Sequence, residues 1–97
     1  MKLVLNKCFG GFSLSVRACK KLFDLGVKEF EDDYWEEIDR NNEHLISIVE
    51  QDAESASGGC ANLEIVEIPD NATDWMIDEY DGWETVIYVV DGKLHRK

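Results

Sequence analysis

Seven carboxylates fall within the eleven residues from Glu29 to Asp39: Glu29, Glu31, Asp32, Asp33, Glu36, Glu37 and Asp39. Carboxylates at this density suit cation ligation, paired acid–base catalysis, or attraction of a basic surface. A hard cation needs converging oxygens on a folded loop, and the D-x-[DN]-x-[DN]-G pattern that supplies them is missing. Acid–base work needs one pair set apart by its surroundings, and nothing marks a pair among the 21 acids of the chain. Attraction needs only the charge. The run also holds Trp35, an aromatic able to anchor an interface while the charges steer the encounter. The candidate partner-binding residues are therefore Glu31, Asp32, Asp33, Trp35, Glu36, Glu37 and Asp39.

Other reactive residue types have simpler readings. Gly10-Gly11 lies between a predicted strand and a predicted helix, but neither G-x-x-x-x-G-K-[ST] nor G-x-G-x-x-G is present. A tight backbone bend accounts for the pair better than a phosphate loop. Ser13 and Ser15 lack a G-x-S-x-G setting, so helix capping outranks nucleophilic attack. Cys8 beside Lys7 has a cation to favour its thiolate, yet an inert thiol is the default. Cys8, Cys19 and Cys60 are odd in number and contain no C-x-x-C, which fits reduced thiols in a cytosol. His44 and His95 have no ligand-spaced partners for zinc. No catalytic residue, metal or cofactor is assigned, and the expectation is a protein that is not an enzyme. Of the remaining tryptophans, Trp75 reads as core. Trp83 follows a tight turn, where an exposed ring among carboxylates would suit a basic partner.

The charge is segregated along the chain. Residues 1–28 carry Lys2, Lys7, Arg17, Lys20, Lys21 and Lys28 against Asp24 alone, whereas residues 29–91 carry the other 20 acids against Arg40 alone. Lys93, Arg96 and Lys97 follow, for a net charge of −11. Net charge away from zero keeps a small protein in solution, and part of the excess needs no other reason. On a helix, however, Asp32/Glu36 and Asp33/Glu37 would be like-charge pairs one turn apart, each costing about 0.2–0.5 kcal/mol. Solubility is obtainable with less local repulsion. Direct binding of nucleic acid by this face is disfavoured, because phosphates would be repelled.

The positioning elements follow from period and punctuation. Ninety-seven residues, 44% of them hydrophobic, suit one domain over 1–97. No apolar run approaches the roughly 18 residues of a membrane span. Lys2–Lys7 reads as a mostly buried strand. Val16 to Leu25 reads as a helix capped by Ser15 and closed by Gly26, burying Cys19, Leu22 and either Phe23 or Leu25. Phe30, Tyr34 and Ile38 share one helical face, with an extended conformation as the competitor. His44 to Ala56 reads as a helix with Asn42 as its cap, although Ile46–Val49 also suits a strand. Ser57-Gly58-Gly59 ends it. Strands follow at Asn62–Ile68, Asp74–Tyr80, Trp83–Val90 and Lys93–Arg96, with Asp81-Gly82 and Asp91-Gly92 as hairpin turns. Trp83–Val90 is apolar on both faces and so reads as central. The prediction is an α+β fold, an antiparallel sheet of three to five strands with two or three helices packed on one face.

Several stretches together resemble a widespread family of small uncharacterised phage and prophage proteins. They are Asn6-Lys7-Cys8-Phe9-Gly10-Gly11-Phe12-Ser13-Leu14-Ser15, Leu45-Ile46-Ser47-Ile48-Val49-Glu50, Ala56-Ser57-Gly58, Leu63 to Asp70 and Trp75 to Gly82. The acidic segment 28–39 is the least family-like part. The resemblance carries no activity and no site residues. It implies a phage accessory protein in the cytoplasm of a bacterial host. In that setting the expected partner is a protein with a basic surface, such as a nucleic-acid-binding host protein, engaged by nucleic-acid mimicry as a host-defence antagonist. Duplex DNA spaces its charges at about 1.7 Å. Four helical residues rise about 6 Å, so one helix copies that array coarsely. The alternatives are a structural or regulatory phage protein that self-associates through its sheet edge, and a small metal-dependent enzyme.

Overall fold

A computed structural model of the chain describes residues 1–27 and 38–97. Its elements, in order, are β1 (Lys2–Asn6), α1 (Val16–Asp24), α2 (Glu43–Gln51), α3 (Ala53–Ala56), β2 (Leu63–Glu67), β3 (Asp74–Tyr80), β4 (Trp83–Val90) and β5 (Lys93–Arg96). The fold is α+β. Its strands divide into two antiparallel sheets, β1–β2 and β3–β4–β5, with β4 central in the second.

β1 organises the layers. Leu3, Val4 and Leu5 are fully buried, because the strand is covered on both faces. Alternation sends Val4 into a cluster with Leu22, Leu45, Val49 and Leu63, on the helix side. Leu3 and Leu5 go the other way, into a cluster with Ile68, Val86 and Tyr88. Burying a side chain of this kind stabilises by about 1.5–3 kcal/mol. The β1–β2 pair, in register Val4↔Ile65 and Leu3↔Val66, is therefore the middle of three layers. Helices cover one side and the β3–β4–β5 sheet covers the other.

The helices begin where side chains cap them. Ser15 Oγ accepts from the Ala18 amide at 3.1 Å, and Asn42 Oδ1 accepts from His44 and Leu45 at 2.9 and 3.2 Å. Gly26, at φ +86°, closes α1 as expected. The buried face of α1 differs from the prediction: it is Ala18 and Leu22, with Cys19 half-buried, while Phe23 and Leu25 are exposed. Phe23 lies off the Ala18–Leu22 stripe and Leu25 stands at the C-cap, beyond the helical face. The long helix expected over 44–56 breaks at Asp52, whose backbone leaves the helical region and whose carboxylate accepts from Ser55 at 3.1 Å to start α3. The strand alternative for 46–49 is not adopted. The predicted apolar stripe through Phe30 and Tyr34 lies outside the described residues; Ile38, its last member, is buried on the helix side. Among the described residues no helix is long and apolar enough to cross a membrane.

Candidate protein-binding surface

Along β4 the side chains alternate between covered and uncovered. Glu84, Val86 and Tyr88 are buried against the β1–β2 pair. Trp83, Thr85, Ile87 and Val89 occupy the opposite face, which no described element covers. The cross-strand register extends that face: Tyr80 lies opposite Trp83, Asp78 opposite Thr85, Met76 opposite Ile87, and Leu94 opposite Val89 on the other side. Met76 and Leu94 are exposed. The two-faced apolar character of β4 thus places it centrally in its sheet without burying both faces.

One end of this face is an aromatic groove of about 450 Å³, lined by Phe9, Asp78, Glu79, Tyr80, Trp83, Thr85 and Arg96. Two glycine-containing bends build it. Asp81 and Gly82, at φ +50° and +90°, form the two-residue turn between β3 and β4. The Gly10-Gly11 bend docks on that turn, with the Gly10 amide donating to the Asp81 carbonyl at 3.0 Å. Gly82 packs so closely that an added Cβ would collide with the Gly11 backbone. The docking sets the Phe9 ring beside Trp83, centroids 5.2 Å apart. Phe9, Tyr80 and Trp83 remain 60%, 75% and 39% exposed. Gly10-Gly11 is a packing device here, as the missing phosphate motifs imply.

Beneath the turn lies a closed polar network. Buried Asn6 donates through Nδ2 to the Cys8 and Gly82 carbonyls at 2.8 and 2.7 Å and accepts from the Asn62 amide at 2.8 Å. Its own amide donates to Glu84 Oε1 at 2.8 Å. Glu84, 5% exposed, also takes both arms of the Arg40 guanidinium, at 2.6 and 2.8 Å. Arg40 Cζ sits 3.6 Å from the centre of the Phe12 ring. The one base between residues 29 and 91 is therefore turned inward. Lys7 Nζ donates to the Glu84 and Lys97 carbonyls at 2.7 and 2.8 Å, and its partial burial holds the amine below its ordinary range despite Glu64 and Glu84.

Around the groove the charge is predominantly negative. Asp78, Glu79 and Asp81 are exposed, Asp78 pairing with Arg96 at 3.1 Å and Glu79 accepting from the Gly82 amide at 3.2 Å. Trp83, singled out for its turn, is thus an exposed ring among carboxylates, whereas Trp75 packs against the second core cluster. The predicted residues Glu31, Asp32, Asp33, Trp35, Glu36 and Glu37 lie outside the described residues. Asp39 is exposed, and its carbonyl accepts from the Asn42 amide at 2.9 Å in the turn before α2. Sequence reasoning did not select Phe9, Tyr80 or Arg96. Tyr80 and Trp83 flank the Asp-Gly turn, so their pairing was the available signal; the approach of Phe9 is non-local. Among the described residues no group of three or more His, Cys, Asp or Glu side chains is placed to hold a metal ion. In comparisons with known proteins, no family model, curated protein or solved structure matches the chain.

Proposed function

We propose that the chain is a non-enzymatic binding module that engages a basic surface of a protein partner. In this reading the acidic run through Asp39 steers the encounter and the aromatic groove anchors it. The observation that carries it is the uncovered trio Phe9, Tyr80 and Trp83, rimmed by Asp78, Glu79 and Asp81. Aromatic anchors inside a charged rim are the usual anatomy of a protein-binding patch. The phage-like stretches suggest a nucleic-acid-handling host protein as partner, met by nucleic-acid mimicry in the bacterial cytoplasm.

The test is affinity capture from host lysate, washed at two salt concentrations, with the parent chain, a charge reversal across Asp32–Glu37, and Tyr80→Ala. A captured protein should be released at high salt, where the screening length falls to about 3 Å at 1 M. Duplex DNA should displace it. Capture unchanged by the charge reversal would sink the proposal.

One observation favours self-association as a second reading: exposed Met76 and Leu94 flank half-buried Ile87 and Val89 in an apolar stretch beside the groove. Sedimentation would then show an oligomer that persists as salt is raised, and a monomer at all concentrations would remove this reading.

A further inference from the structure

The groove is apolar in its walls but not neutral. Among the described residues Arg96 is its one lining cation, and its Nη1 is already held by Asp78 Oδ2 at 3.1 Å and Thr85 Oγ1 at 2.8 Å. Asp78 and Glu79 outnumber it, and exposed Asp81 stands at the adjacent turn. An anionic ligand would meet net repulsion; a cation would meet attraction from the carboxylates and from aromatic walls able to offer a ring face. A volume of about 450 Å³ suits a side chain with its flanking backbone.

The chain carries an internal example of the chemistry this would need. Arg40 lays its guanidinium 3.6 Å over the Phe12 ring while its two arms hold the Glu84 carboxylate. A planar, weakly hydrated guanidinium can use a ring face and a carboxylate together, which a compact ammonium does less well.

We infer that the Phe9–Tyr80–Trp83 groove receives an arginine side chain from an extended basic segment of the protein partner. This rests on the proposed function and names the contact by which the partner is held. Among the described residues β3 is an edge strand of its sheet, with the side away from β4 unpaired for such a segment.

The experiment is an NMR titration of the full chain with acetyl-Gly-Arg-Gly-amide and with its lysine and citrulline counterparts. The arginine peptide should move the Trp83 indole and the Phe9 and Tyr80 amides saturably, with weaker shifts from lysine and none from neutral citrulline. Tyr80→Ala, which removes a ring that supports no core residue, should weaken the arginine peptide about threefold, the size of one exposed cation–π contact. Amide dispersion reports that each variant is folded. Equal shifts from citrulline would mean that the groove is merely apolar, shifts confined to residues 29–39 would mean that charge alone holds the peptide, and groove shifts on raising protein concentration would mean that a second copy fills it. Each of these overturns the inference. If salt-sensitive capture persists without peptide binding, this contact fails and the proposed function stands. If the peptide binds while charge reversal leaves capture unchanged, the proposed function fails and the groove assignment stands.

Discussion

Arg40 and Glu84 meet through two hydrogen bonds of 2.6 and 2.8 Å, joining the turn before α2 to the inner face of β4 across 44 residues of sequence. The same carboxylate accepts from the Asn6 amide, so three segments converge on one side chain. Removing one partner leaves a buried charge uncompensated, which costs more than the pair contributes. Arg40→Met should therefore lower stability by about 3–5 kcal/mol in urea denaturation. Adding Glu84→Gln, which neutralises the charge but keeps an acceptor for Asn6, should restore more than half of the loss. Additive effects in this cycle would show that the two residues do not act as a unit.

The two hairpin glycines should respond differently to the same change. Gly82 and Gly92 both sit at positive φ, +90° and +74°, where an L side chain is strained by about 1–2 kcal/mol. An added Cβ at Gly92 meets open space, whereas one at Gly82 strikes the Gly11 backbone. Gly92→Ala should lower the melting temperature by a few degrees, and Gly82→Ala should lower it further and disturb the Phe9–Trp83 contact. Equal melting temperatures would contradict the close approach.

Lys7 sets a pH dependence with a definite sign. Burial lowers its amine pKa below the ordinary 10.5, so the folded state gives up this proton before the unfolded state does. Between the two values the unfolded chain binds more protons, and stability contributed by this group rises with pH. Below the folded value the desolvation cost is fully present. Relative to Lys7→Met, the parent should gain stability as pH climbs from neutrality toward 10.5. A constant difference across that window would show that the amine is not desolvated.

Trp83 should report the sign of its surroundings. With Trp35 and Trp75 replaced by Phe, the remaining indole, 39% exposed beside Asp78, Glu79 and Asp81, should be quenched more efficiently by caesium than by iodide at low salt. The difference should shrink in added sodium chloride as the charges are screened. Preferential quenching by iodide would mean that Arg96 governs the groove.

What was legible in the sequence was local. Ser15 and Asn42 announce helix starts because the cap and its acceptor are neighbours in the chain, and Asp81-Gly82 and Asp91-Gly92 announce turns because their dihedral demands are intrinsic. The break at Asp52 inside the helix expected over 44–56 was not legible, because spacing alone does not reveal a side chain turned back on the backbone. The split into two sheets was not legible, since each strand's pattern is compatible with either. Arg40 stood out in the charge count as the lone base of the acidic region, but its partner lies 44 residues away. The groove was half legible: Trp83 was marked by its turn, and Phe9 reaches it only through the docking of one glycine bend on another.

β1 is paired along its edge and closed on one face by segments that come much later in the chain, its register running from Lys2↔Glu67 to Asn6↔Leu63 and the face away from the helices covered by Val86 and Tyr88. Such distant pairings close long loops before contacts repay them, which slows folding. During synthesis the Leu3-Val4-Leu5 strand must wait for its pairing partner until β2, whose Val66 lies opposite Leu3, has left the ribosome. The interval is one in which a chaperone would find a short, sticky, unpaired strand to hold.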